Sequence, residues 1–157
     1  MTNQKLKKLT DWMSENEIQM IFLTSTESVF YFSGFYSDPH ERLLGLALFQ
    51  EKEPLLICPA MEKEDARKTG WNGEIIGYSD IDNPWDLLGE AISKRVGRPA
   101  KIGIEKEHMI VERYESLLSL FPEASFVSAE EKVRKLRMIK DEKELAAIRK
   151  ACNLADY

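Results

Sequence analysis

The densest set of chemically able side chains in this sequence is the run Asp38-Pro39-His40-Glu41-Arg42. It lies between two strongly apolar segments, and loops carried by rigid strands are where binding groups tend to sit. Arg42 is its most informative member, because a planar guanidinium clamps a carboxylate through two parallel hydrogen bonds. His40 stands beside it in the same cluster of titratable groups. The competing reading is a plain surface loop in which Arg42 pairs with Glu41 or Asp38, and the run alone leaves both open.

Little else offers chemistry. The chain has two histidines, and neither His40 nor His108 stands in a zinc-type H-E-x-x-H or beside a cysteine. No metal ligands and no catalytic residues are therefore expected within this sequence. Ser33 lacks a G-x-S-x-G elbow, and neither a dinucleotide-type nor a P-loop glycine pattern is present. Glu62, Glu64, Asp65, Glu130 and Glu131 occur in helical sequence with lysines nearby and read as solvated faces. The basic run Lys132, Arg134, Lys135, Arg137, Lys140 has acidic flanks and no interleaved aromatics, so it too reads as a solvated helix face.

Composition narrows the classes further. The chain has 157 residues, of which 43% are hydrophobic and 31% charged, a globular balance that excludes wholesale disorder. Lys and Arg number 22 against 27 Asp and Glu, for a net charge of −5. That sign argues against a general nucleic-acid partner. The densest apolar run, Leu43–Phe49, is far below the roughly 20 residues of a membrane span, and the polar N-terminus lacks the apolar core of a signal peptide. Cys58 and Cys152 are expected as two buried thiols in a reducing compartment. A cytoplasmic protein with no membrane partner is expected.

The elements that must hold the 38–42 loop are legible as periodicity. Leu6, Leu9 and Met13 mark an amphipathic first helix, with Asn16 as its stop. Ile18–Leu23 reads as a buried strand, after which Thr26-Glu27-Ser28 is placed to cap a short helical turn through Phe32. Leu43–Phe49 and Leu55–Cys58 are joined by a linker too short for a crossover helix and must form an antiparallel hairpin. A helix at Met61–Lys68 and a strand at Glu74–Tyr78 follow. Asn83-Pro84, an N-cap with proline in the first turn, opens a helix that ends at Gly97. Lys101–Glu105 is a half-buried strand, Met109–Leu120 a helix, and Ser125–Val127 a weak strand. Ser128 and Glu131 form an S-x-x-E capping box for the next helix. This order predicts an α/β fold: a three-layer domain whose mixed sheet is flanked by helices.

The last segment repeats the capping pattern, with Asp141 as N-cap and Glu144 three residues on. Leu145, Ile148, Cys152 and Ala155 then make one apolar stripe with no glycine or proline stop. Its partner is expected in a further domain that this sequence does not include, rather than in the α/β domain itself.

Several phrases resemble one known family. Leu23-Thr24-Ser25-Thr26-Glu27-Ser28-Val29-Phe30-Tyr31-Phe32-Ser33-Gly34-Phe35 is similar to the L-T-x-x-x-N-x-x-Y-L-S-G-F segment of creatinases and prolidases, with serine at 28 where asparagine is common. Lys101–Glu105 resembles a strand of that family. Val133–Leu145 resembles the R-x-I-K-(S/D)-x-x-E-(I/L) hinge that leads into the family's metallopeptidase domain. Ile148–Asp156 is similar to the I-R-x-A-x-x-(I/L)-A-D first helix of that domain.

The resemblance implies a ribonuclease-H-like creatinase N-terminal domain over residues 1–135. Residues 136–157 would be the hinge and first helix of a C-terminal pita-bread domain. In the family that second domain holds two divalent ions, often manganese or cobalt, on two aspartates, one histidine and two glutamates, and hydrolyses its substrate with metal-activated water. The implied protein is an Xaa-Pro dipeptidase or aminopeptidase acting on proline-containing peptides, and the implied partners are its own catalytic domain and a second subunit. By position, Arg42 resembles the arginine that contacts the substrate carboxylate in creatinase-like members, with His40 beside it, directed toward the partner subunit's site. A creatinase-type amidinohydrolase and a non-catalytic protein-binding module are the alternatives. A nuclease would rest on fold analogy alone.

Overall fold

A computed structural model of the chain describes residues 3–155. Six strands form one sheet: β1 (Met20–Leu23), β2 (Gly45–Phe49), β3 (Leu55–Pro59), β4 (Glu74–Tyr78), β5 (Lys101–Ile104) and β6 (Ser125–Ser128). Their order is β4-β3-β2-β1-β5-β6. Strand β2 pairs antiparallel with both neighbours, whereas β3–β4, β1–β5 and β5–β6 are parallel. Every strand but β2 therefore runs the same way, and the predicted hairpin is present with Leu46 opposite Leu56.

Alternation along the central strands sorts the core into two layers. Ile21, Leu23, Leu46, Leu48, Leu56 and Cys58 face one side. Met20, Phe22, Ala47, Phe49, Leu55 and Ile57 face the other. Helices α1 (Asn3–Glu15), α2 (Thr26–Ser33), α3 (Lys63–Lys68) and α6 (Glu130–Met138) cover the first face through Leu9, Met13, Val29, Phe32, Ala66 and Val133. Helices α4 (Pro84–Val96) and α5 (Val111–Leu120) cover the second through Leu88, Ile92 and Leu117. The three-layer mixed-sheet domain expected from the sequence is the observed fold.

The helices start and stop close to the residues that signal them, with three differences at α2, α5 and α6. Asn83 caps α4 by accepting from the Trp85 N–H, with Pro84 in the first turn. Helix α2 is capped by Ser25, whose hydroxyl accepts from Ser28 N–H, rather than by the Thr26 group, and it ends at Gly34 with φ +76°. Helix α5 starts at Val111, because residues 106–108 form a turn. The box predicted at Ser128 does not form. Ala129 is buried and donates its N–H to Ile104, so the chain follows the sheet edge one residue further before α6 begins without a side-chain cap.

Helix α7 (Glu142–Ala155) begins with the predicted reciprocal box: Asp141 N–H donates to Glu144 Oε2 and Glu144 N–H to Asp141 Oδ1, both at 2.9 Å. Lys5 reaches both carboxylates, at 3.2 Å and 2.6 Å. None of its described residues is buried. Ile148 is 45% exposed, and the expectation of a buried Cys152 is overturned, since that cysteine lies open on this unpacked helix. No disulfide joins it to the buried Cys58.

Candidate functional site

Because five strands run in parallel, their carboxyl ends meet along one edge, together with the entry to β2. This is where open α/β sheets place their binding groups. The 38–42 loop arrives at that edge. His40 is exposed and holds φ +54°, a left-handed conformation uncommon without glycine. Just beyond it the Arg42 N–H closes a turn on the Pro39 carbonyl at 3.0 Å.

Arg42 lines a cleft of about 390 Å³ with Tyr78, Asp80, Trp85, Ile110 and Arg113. Its guanidinium pairs with Asp80 at 2.9 Å and meets the Met61 sulfur at 3.9 Å. Its carboxylate partner is thus neither Glu41 nor Asp38, the pairs of the plain-loop reading, but Asp80 of the β4–α4 connection. His40 is not among the walls of the cleft, so the structure places the two sequence candidates on one loop but not in one concavity.

The loop is fastened from outside. Arg113 of α5 donates Nη2 to the Arg42 carbonyl at 3.1 Å, and the Tyr78 hydroxyl donates to the Leu43 carbonyl at 3.0 Å. Burial pushes the Tyr78 phenol above its ordinary value against the opposing influence of that hydrogen bond and of Arg42. Asp82, at the same rim, accepts from the Ser79 hydroxyl and N–H, which hold its carboxyl below the usual range.

A second carboxylate at this edge had no sequence signal. Glu105, directly after β5, is only 5% exposed. It accepts from the N–H groups of Thr24 and Ser25 at 2.9 Å and from the hydroxyls of Ser25 and Ser28 at 2.7 Å. It sits at the N-terminus of α2, where negative charge is favoured, and with its donors satisfied from within the chain it is a structural anchor. Only the side-by-side placement of β1 and β5 reveals it. His108 is exposed in the turn that follows.

Among the described residues no group of three or more His, Cys, Asp or Glu side chains is placed to hold a metal ion. The donor set implied by the family resemblance is therefore not found there, and no chemical step is assigned to these residues. No helix among the described residues is long and apolar enough to cross a membrane.

The chain is 43% identical over 153 residues to a protein of Bacillus subtilis (strain 168) described as a putative dipeptidase, covering 98% of this chain and 42% of that one. It is 35% identical over 153 residues to an Xaa-Pro dipeptidase of Lactobacillus delbrueckii subsp. lactis, covering 97% and 42%. It spans about 42% of the length of these curated relatives. Among solved structures, the N-terminal domain of an Xaa-Pro dipeptidase from Lactobacillus brevis superposes with a TM-score of 0.79 at 32% identity, over 83% of this chain and 98% of that one. A prolidase from Thermococcus sibiricus shares the fold with a TM-score of 0.86 at 23% identity, over 99% of this chain and 42% of its own. Residues 5–139 match the Creatinase/Prolidase N-terminal domain, and the chain belongs to that family.

Proposed function

We propose that this chain is the N-terminal, dimerising and substrate-access domain of a cytoplasmic, metal-dependent Xaa-Pro dipeptidase or aminopeptidase. One observation carries the reading: 97% of the chain aligns at 35% identity with an Xaa-Pro dipeptidase, yet accounts for 42% of that protein's length. The remainder of such a protein would supply the ions, manganese or cobalt, that activate water. The unpacked α7, with its exposed Ile148 and Cys152, is consistent with a helix that packs on that remainder.

Within this reading Arg42 receives the carboxylate of the proline-containing substrate, at the active site of the partner subunit, with His40 at the head of the same loop. Peptides ending in proline suit such a contact, because the scissile nitrogen has no N–H to be recognised and the free carboxylate is the strongest remaining handle.

The test is an assay of the protein as its gene encodes it, on Xaa-Pro dipeptides with Mn²⁺ or Co²⁺, beside creatine as a guanidino acid. Cleavage of the dipeptides supports the reading. In that protein Arg42→Ala should raise KM by about 10- to 100-fold, the size of a charge-assisted hydrogen bond, with metal content unchanged. Hydrolysis of creatine alone, or of neither substrate, overturns the reading, and an unchanged kcat/KM removes Arg42 from the site.

A further inference from the structure

Arg42 and Leu43 precede the first paired residue of β2, Gly45, so no sheet partner holds their carbonyls. Both carbonyls are nevertheless satisfied, one by the Arg113 guanidinium and the next by the Tyr78 hydroxyl. The Arg113 bond to the Arg42 carbonyl and the Arg42 N–H bond to the Pro39 carbonyl fix the two peptide planes that flank the Arg42 Cα. The Tyr78 bond fixes the next plane, so the Cα–Cβ direction of Arg42 has little freedom. The turn closed on Pro39 and the left-handed His40 set the loop from its other end, and such a backbone persists only where its surroundings over-determine it.

Arg113 does not act here as a second anion receptor. Its Nη2 is committed to the Arg42 carbonyl at 3.1 Å. What Arg113 contributes is geometry. It donates from a planar fork to a backbone oxygen, leaving the guanidinium of Arg42 to meet other groups.

We infer that Arg113 is a positioning residue, which holds the Arg42 backbone so that the Arg42 guanidinium meets the substrate carboxylate. This rests on the reading of Arg42 given above and extends it to a residue that touches no substrate.

The experiment uses the full-length enzyme with Arg42→Ala, Arg113→Ala and the double variant. It measures KM and kcat for an Xaa-Pro dipeptide and the inhibition constant of the same dipeptide with its carboxylate capped as an amide. Arg113→Ala should raise KM for the dipeptide by about three- to tenfold, as expected for one lost hydrogen bond acting through another group. The kcat and the inhibition constant of the amide should stay within about twofold, and Arg113→Ala should add nothing in the Arg42→Ala background. A general loosening of the fold would move the acid and the amide alike, and that result overturns the inference. So does an Arg113→Ala effect that is absent, or fully additive with Arg42→Ala. If Arg42→Ala itself leaves the dipeptide KM unchanged, the reading of Arg42 falls, and this inference falls with it. An effect of Arg42→Ala alone leaves that reading standing while this inference fails.

Discussion

The carboxylate of Glu105 and the hydroxyl of Ser28 meet at 2.7 Å across 77 residues of chain. The contact joins the end of β5 to the first turn of α2, and three further donors from Thr24 and Ser25 converge on the same carboxylate. Burying a carboxylate is costly unless its oxygens are satisfied, and here each accepts two hydrogen bonds. Glu105→Gln keeps the shape but turns an amide NH₂ toward groups that themselves donate. The expected loss is about 2–3 kcal/mol, the cost of buried donors left without an acceptor. Ser28→Ala, which leaves three donors in place, should lose only about 1 kcal/mol. Urea unfolding of the chain measures both, and equal losses for the two variants would contradict the anchor role of the carboxylate.

Gly45 opens β2 directly against the ring of Phe22. A Cβ built at Gly45 would lie 2.5 Å from Phe22 Cζ and 2.6 Å from Cε2. Phe22 has no exposed surface and stands edge-on to Trp85 at 6.1 Å, so it has no room to yield. Gly45→Ala should cost about 1–3 kcal/mol, as overpacked cores do. The double variant Gly45→Ala with Phe22→Leu should recover part of that loss in the same unfolding measurement. No recovery would show that the glycine is needed for its backbone rather than for the ring.

The sheet was readable because its central strands are unbroken apolar runs, and the short Gln50–Pro54 connection left the β2–β3 pair no geometry but a hairpin. The caps at Asn83 and Asp141 were readable because each depends on a few neighbouring residues. Local reading failed where a distant strand competed for the same backbone. The Ala129 N–H is taken by Ile104 and its carbonyl accepts from the Val133 N–H, so Ala129 and not Ser128 stands at the start of α6. The same limit hid the support around Arg42. Asp80, Tyr78 and Arg113 lie far from residue 42 in the chain, and each looks like an ordinary surface or strand residue until the parallel strands bring their ends together. Glu105 was hidden for the same reason, since an acid after an alternating strand reads as exposed.

Lys5 ties α1 to the start of α7, and this tie should be sensitive to pH at both extremes. Burial alone would lower the Lys5 pKa, but its hydrogen bonds to Glu144 and Asp141 raise it above the ordinary value. Asp141 is held below its ordinary 3.8 first by the Glu144 N–H and, against the opposing effect of burial, by Lys5. A lysine with a raised folded pKa stabilises below about 10.5, and that contribution is lost as pH rises through the folded value. A carboxylate with a depressed pKa stabilises above about 4, and its contribution is lost as pH falls through the folded value. Helix α7 should therefore hold its place near neutral pH and loosen toward acid. A fluorophore on Cys152 should report this as falling anisotropy below about pH 4, and Lys5→Met should give the low value already at pH 7. Anisotropy that follows only the unfolding of the whole domain, with Lys5→Met unchanged at pH 7, would rule out the tie.

The two thiols should differ sharply in reactivity. Cys58 lies in β3 with no exposed surface, and burial, followed by the nearby Glu62 carboxylate, pushes its thiol up to about 12. At pH 8 its thiolate fraction would then be on the order of one in ten thousand, and the thiolate is the nucleophile. Cys152 is exposed on a helix that buries none of its described residues. An aromatic disulfide reagent should therefore titrate one thiol per chain in the native state and two in denaturant. Cys152→Ser should leave no fast-reacting thiol. The slow reaction that remains at Cys58 would then report how often β3 leaves the sheet, because only opened molecules present that sulfur to reagent. Rapid native labelling of Cys58 would show instead that the β2–β3–β4 side of the sheet opens by itself.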